Sequence, residues 1–431
     1  MKKMLARYPI GNPRRKWKQD NFILSVTNAA PMGLEYESEI DFEKARHGMK
    51  TAKEALFNVV EFLWTSPKMA MELVRSAEKL SMPVIYQNML RFGGMGYRQE
   101  KNLKPEDNDL EGVLKDVAPW KSVIGFCAYD EPLDTEQREL AKKLIDRIEE
   151  ICPDKLPFAC TDAGKIDLMA DEVDPAQLSF DQYAFGGWAG GGMSVETQMD
   201  KCLGYWEKME IAKNAAKRIE APFWFYYQGH ELSYNPVSDD YQFAASRMMA
   251  NAALLYGAKG VSCYNELDGA FNPESGGHGI YFDEQLKLNR EITELGNTLM
   301  ALNCERVIHD VSLTTESEKV TFATIEESEH IKGKLQKRIS VSELKDAYGN
   351  DYIMVLNRDY KNDRRYSIML KEEKRIWRVS DSDGEQHLAF EGGKNKIIGT
   401  LTPGSIALYR LQKLEEEPFA IEYYLDKGII K

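Results

Sequence analysis

Long apolar runs are missing from the 431 residues, and none approaches the roughly 18–20 residues that cross a bilayer as a helix. Positive charge is in deficit: 56 Lys and Arg against 69 Asp and Glu leave a net charge of -13. Such a surface repels phosphate backbones and anionic headgroups, so neither nucleic acid nor a membrane is expected as a partner. Cysteine is sparse. The six thiols, at 127, 152, 160, 202, 263 and 304, include no Cys-x-x-Cys pair. Several lie inside apolar runs, which suits reduced, buried thiols and a cytoplasmic setting. No His or Cys spacing suggests zinc, and His47, His230 and His278 are far apart in the chain. Neither a Walker motif nor a GxGxxG fingerprint occurs. No metal or organic cofactor is therefore expected. Met1 to Asp20 is basic but holds no apolar segment. A cytoplasmic chain is expected, or a secreted one whose leader has been removed.

What is present is an ordinary globular composition, 43% hydrophobic and 29% charged, in a chain long enough for two domains. The stretch around which the rest is organised is 124–132, Ile-Gly-Phe-Cys-Ala-Tyr-Asp-Glu-Pro. An apolar run too short for a helix ends in two acids and a proline. It reads as a buried strand whose last residues emerge into a polar site. The plainer alternative is that Asp130 and Glu131 only cap the following helix.

Seven further strands accompany it, at 22–27, 58–64, 83–88, 156–160, 178–185, 222–228 and 260–265. Helical spacing falls between them at 41–55, 66–80, 110–120, 135–151, 194–219 and 238–256, and a last helix spans 283–302. Pro67 suits the first turn of its helix. Eight strands alternating with helices over about 300 residues predict a (β/α)8 TIM barrel in residues 1–310. A doubly wound open sheet is the alternative. After His309 the period shortens to alternation at 319–324, 352–356, 365–369, 376–379 and 405–409. Turn pairs such as Asp383-Gly384 separate these runs, so 311–412 is expected to form a small antiparallel β-sandwich. Residues 413–431, with the run Glu415-Glu416-Glu417, are expected to form a solvated tail.

In such a barrel the site lies at the C-terminal strand ends. Those ends carry Asn28; Glu61 and Trp64; Gln87 and Asn88; Asp130 and Glu131; Asp162; Asp181 and Tyr183; Gln228, His230 and Glu231; Asn265 and Glu266. Aromatics at Trp64, Tyr129, Trp188, Tyr227 and Tyr264 join them. Carboxylates and amides bind hydroxyls, and flat rings cover the apolar faces of sugars. The set suits a neutral polyhydroxylated substrate. Each member has a plainer reading. Glu61 fits a satisfied buried acid as well as a ligand. Asp162 is favoured as a turn or cap residue, with the same alternative for Asp181. Trp64 and Trp224 suit the core, whereas Trp188 sits in the glycine-rich loop 186–192, where no core demands it. That loop is also a weak candidate for phosphate at a helix N-terminus.

Tyr129-Asp130-Glu131-Pro132 resembles the strand-four acid motif of the barrel glycoside hydrolases of the clan GH-A type. Tyr226-Tyr227-Gln228, Arg247-Met248-Met249 and the segment 255–261 are similar to the strand-seven to strand-eight region of bacterial barrel glycosidases. Residues 401–411 look like their C-terminal β-domain. The resemblance implies Glu131 as acid/base, with Asp130 where the group usually has asparagine. It implies a glutamate nucleophile ending strand seven, for which Glu231 is the nearest match and Glu266 a rival. The expected activity is cleavage of a neutral glycosidic bond, with retention if Glu231 is the nucleophile. The expected partner is an oligosaccharide or other glycoside, with a homo-oligomer left open. Two other classes compete: a non-catalytic carbohydrate-binding barrel, and a metal-dependent lyase or isomerase, because carboxylate-rich rims also hold Mg2+.

Overall fold

The structure is a computed structural model. It describes residues 10–27, 35–62, 65–87, 109–184, 203–229, 242–265, 268–272, 274–310, 320–389 and 394–416. Short Val-, Ile- and Phe-rich segments form eight parallel strands: β1 (Ile23–Thr27), β2 (Val59–Glu61), β3 (Val84–Tyr86), β4 (Val123–Asp130), β5 (Leu156–Asp162), β6 (Leu178–Asp181), β7 (Phe223–Gln228) and β8 (Gly260–Tyr264). They close in sequence order, and β8 returns to β1. The expected (β/α)8 barrel is present.

The helices are α1 (Glu39–Glu54), α2 (Pro67–Leu80), α3 (Leu110–Val117), α4 (Thr135–Ile151), α5 (Leu203–Ile219), α6 (Gln242–Leu255) and α7 (Phe282–Ala301). Their starts are chemically marked. Ser38 and Asp41 form a capping box on α1, and Ser66 caps α2 ahead of Pro67. Between β5 and β6 a short run of helical turns over 163–173 replaces a full helix. No helix among the described residues is long and apolar enough to cross a membrane.

Side chains sort by the two-residue period of the strands. Leu24, Val26, Val60, Val84, Phe225 and Val261 point outward and pack with the helices. Ile23, Val59, Ile85, Leu156 and Trp224 point inward and fill the barrel's lower end. A hairpin, pinned by the Ile10–Gln19 bridge, closes that end. Trp17 stands edge-on to Trp224 at 6.3 Å, and the Trp224 indole N–H donates to Gln19 Oε1 at 2.9 Å. Trp224 is thus a core residue. The site is left to the opposite end.

The second unit begins earlier than the change of periodicity at His309 suggests. β9 (Leu302–His309) follows α7 directly and pairs with β11 (Ile339–Asp346). β12 (Asp351–Asn357) and β16 (Ile406–Gln412) continue that sheet. The two runs expected at 365–369 and 376–379 are one long strand, β13 (Arg364–Val379). Its first part pairs with β10 (Ile331–Lys332) and β15 (Lys394–Leu401), and its second with β14 (Gln386–Leu388) and β16. β13 therefore passes from one layer of the sandwich to the other. Of the run at 319–324, the described residues 320–324 contribute a single bridge, between Ala323 and Ile308.

β12 is buried on both faces. Ile353 and Val355 enter the sandwich core. Tyr352, Met354 and Leu356 enter the same core as the barrel residues Trp206 and Tyr256. At this junction Arg358 and Asp310 form a buried ion pair, with the guanidinium 5.7 Å above the Trp206 ring. Asn251 Nδ2 on α6 donates to Gly404 O at 2.8 Å. Gly404 has a φ of 69°, and a Cβ there would meet Ala244 O at 2.5 Å, so the turn needs glycine.

Candidate active site

The open end of the barrel is shaped first by an irregularity in β4. Cys127 pairs with Phe158, but Tyr129 pairs with Ala159, so two residues of β4 advance against one of β5. This bulge changes the phase of the strand. Cys127 points into the barrel, Tyr129 points outward among the helix-facing residues, and Asp130, beside Cys160, points inward again. Tyr129 is 1% exposed, and Tyr227 is fully buried with its hydroxyl accepting from Gln285 Nε2 at 2.8 Å. Neither ring can face a sugar, contrary to the sequence expectation. Both lie on the strand face turned toward the helices, a phase that the apolar composition does not reveal.

Glu131 follows with a φ of 52°, a left-handed conformation that costs a non-glycine residue of order 1–3 kcal/mol. Its N–H still donates to Cys160 O at 3.0 Å, so the strand ladder holds the backbone while the chain turns. The turn carries the Glu131 side chain over the mouth, where it remains exposed. Register supplies its neighbours. Cys160 lies beside Ser179 and Asp162 beside Asp181. The Glu131 and Asp181 carboxyls come within hydrogen-bonding reach.

Burial and crowding raise three of these acids. Burial, then Glu131 and Glu61, push Asp130 up to about 7. Burial and the charge of Asp162 raise Glu131, partly offset by its hydrogen bond to Asp181. Burial, Glu131, Asp130 and Asp162 drive Asp181 well above the carboxylate range. Asp162 Oδ1 accepts from Gly164 N at 2.7 Å, so it caps the next turn while lending its charge to the cluster.

Tyr183 and Tyr264 stand beside the acids, with ring centroids 5.5 Å apart and planes tilted by 32°. Both remain half-buried at the mouth. Deeper down, Glu61 is 2% exposed. Its Oε1 accepts from Ser25 Oγ at 2.5 Å and Ser262 Oγ at 2.8 Å, and its Oε2 accepts from the Tyr226 hydroxyl. This is the satisfied buried acid, locking β1, β2, β7 and β8 together beneath the site. Ser25, Ser262 and Tyr226 were not legible as its partners, because only barrel closure brings them together.

The amides also serve the scaffold. Asn265 Oδ1 accepts from Ala270 N at 2.9 Å and its Nδ2 donates to Phe271 O at 3.0 Å, folding the loop after β8. Gln87 Nε2 lies 3.5 Å from Cys127 Sγ inside the barrel. Gln228 ends β7, buried and on the same inward phase as Trp224 and Tyr226. The inward residue at the end of β7 is thus an amide. Asn28, Trp64, Asn88, Trp188, His230, Glu231 and Glu266, and the loop 186–192, lie outside the described residues. Among those described, no group of three His, Cys, Asp or Glu side chains is arranged to hold a metal ion.

No family model and no curated protein matches the chain. Solved structures do. One described as a glycoside hydrolase is 13% identical, covers 95% of this chain and 97% of its own, and superposes with a TM-score of 0.56. A family 5 glycoside hydrolase from Bacteroides vulgatus is 11% identical, covers 96% and 95%, and has a TM-score of 0.55. At these identities the likeness is one of fold, and it extends over the barrel and the β-domain together.

Proposed function

We propose that this protein hydrolyses a neutral glycosidic bond, with Glu131 as its general acid/base. The observation that carries the reading is Glu131 itself. It follows β4 in a left-handed turn at the barrel mouth, where burial and the charge of Asp162 raise it. Glycoside hydrolysis requires one carboxylic acid to protonate the departing oxygen and one carboxylate to attack or to activate water. A raised Glu131 supplies the first. After departure it takes a proton from the incoming water. The paired rings of Tyr183 and Tyr264 offer a flat apolar face beside that acid, as a sugar ring requires. The shared fold with glycoside hydrolase structures supports the same class.

The second carboxylate comes from beyond β7 or β8, because β7 ends in Gln228 and β8 in Tyr264. Glu231 is the preferred candidate and Glu266 its rival. A separation of about 5–5.5 Å from Glu131 gives a glycosyl-enzyme and retention, and about 6.5–9.5 Å admits a water and gives inversion. A panel of chromogenic aryl glycosides, run with and without EDTA, tests the class. EDTA-insensitive hydrolysis of at least one neutral glycoside is expected. Binding without turnover would favour a carbohydrate-binding barrel, and EDTA-sensitive turnover a metal-dependent one. Following the first-formed anomer by NMR then separates retention from inversion.

A further inference from the structure

His309 ends β9, where the barrel meets the β-domain. Its ring is half-buried, so protons reach it. Nε2 lies 2.8 Å from the hydroxyl of Tyr256, just beyond α6, and Nδ1 lies 2.6 Å from Ser340 Oγ on β11. One nitrogen thus engages the barrel and the other the β-domain. Trp206 of α5 meets the ring edge-on at 5.2 Å, and Phe322 does so at 5.1 Å. Tyr256 and Ser340 are both fully buried, and neither hydroxyl has a second hydrogen-bond partner among the described residues. A neutral imidazole has one N–H and one lone pair, so it donates to one hydroxyl and accepts from the other. That leaves one hydroxyl hydrogen without an acceptor. A protonated ring must donate to both hydroxyls, and then two hydrogens lack acceptors. We propose that His309 is a pH-sensitive latch between barrel and β-domain: neutral, it ties Tyr256 to Ser340 and closes the seam; protonated, it lets the seam open.

The charges around the ring oppose its protonation. Arg358, just beyond β12, and Lys213, on α5, both face it as cations. The acids beside them are committed: Asp310, next in the chain, pairs with Arg358, and Glu210, on α5, pairs with Lys213. The α6 and β11 sides offer only the hydroxyls of Tyr256 and Ser340, and the segment 320–324 offers Phe322. A third cation at this seam therefore lacks a counter-ion among the described residues. Burial, then Arg358 and Lys213, hold His309 well below its ordinary 6.5. Between those values the opened seam takes up a proton that the closed seam refuses. Closure is thus fully favoured above 6.5 and weakens as pH falls below it, by up to about tenfold in the opening constant per pH unit.

The test uses full-length protein labelled with nitrogen-15. The His309 ring signals are assigned by their loss in His309→Gln, and the Trp206 indole N–H by its loss in Trp206→Phe. In the wild type, His309 should stay neutral to at least about one unit below the ordinary midpoint. The Trp206 indole N–H is buried at the seam and reports its opening. Its hydrogen exchange, corrected for the intrinsic rate, should quicken by up to about tenfold per unit as pH falls through the window. The Trp224 indole N–H in the barrel floor, 2.9 Å from Gln19 Oε1, should keep its protection. In His309→Gln, which takes up no proton, the acceleration at Trp206 should vanish. An ordinary His309 midpoint, or a Trp206 rate indifferent to pH in this window, overturns the latch. So does the same acceleration in His309→Gln, or an equal one at Trp224, which would mean global rather than seam opening.

Discussion

Glu131 and Asp130 are neighbours with different tasks. Glu131 is exposed at the mouth, whereas Asp130 is half-buried below it, so their removal should read out differently. Glu131→Gln should leave the fold intact and lower turnover of glycosides with poor leaving groups by about 10²–10⁴-fold. Glycosides with activated aryl leaving groups should lose much less, because they depart with little protonation. Equal losses on both would remove Glu131 from the acid role. Asp130 should report in stability. Its folded value near 7 lies above the ordinary 3.8, so between these values the native state keeps a proton that the unfolded chain gives up. Stability should therefore fall as pH rises through that window, by at most about 1.4 kcal/mol per unit. Asp181 and Glu131 act in the same direction, so Asp130→Asn should flatten this slope without abolishing it. Urea unfolding at a series of pH values measures it, and an unaltered slope would place Asp130 outside the buried cluster.

At the scale of single elements, β4 decides the geometry of the mouth. Its start is fitted closely to β5: a Cβ on Gly125 would meet Leu156 O at 2.7 Å and Leu156 Cβ at 2.8 Å. Gly125→Ala should destabilise the protein by about 1–3 kcal/mol and disturb the bulge above it. Thermal melting should show the first effect. A larger loss in kcat than a surface control of equal stability would show the second. The existence and order of β4 and its fellows were readable, because an apolar run of strand length between amphipathic helices has few other interpretations. The bulge was not. A strict alternation through Cys127, Ala128 and Tyr129 would have placed Tyr129 with Cys127 on the inner face. Only pairing with β5 inserts the extra residue. β13 shows the same limit, since its two apolar stretches read as separate strands. Pairing of the first to β15 and of the second to β16 makes the strand continuous.

At the scale of the molecule, barrel and β-domain share a core. Tyr352, Met354 and Leu356 pack with Trp206 and Tyr256, and the Arg358–Asp310 pair is buried at the seam. Arg358→Ala should cost about 3–5 kcal/mol, because it strands the Asp310 carboxylate without its cation. Adding Asp310→Asn should recover part of that loss. Unfolding followed by tryptophan fluorescence would measure both, and a double variant no more stable than Arg358→Ala would show that the charge is compensated by other means.

The chain's local chemistry was sufficient for the barrel, the antiparallel domain and the acid at the end of strand four. Each follows from a short-range rule: periodicity, a cap, a proline or a strand end. Seven of the site residues named from the sequence, among them Glu231 and Glu266, fall outside the described segments, so their placement is still an expectation. For the rest, tertiary structure decided the outcome. Glu61 stood equally well as ligand or buried acid until closure of β8 onto β1 brought Ser262 and Ser25 to its carboxyl. Asp181 was one rim acid among several until the pairing of β5 with β6 set it beside Asp162. Period and composition determine which elements form. Which side chains meet depends on register, bulges and closure, which are properties of pairs of strands that no single segment contains.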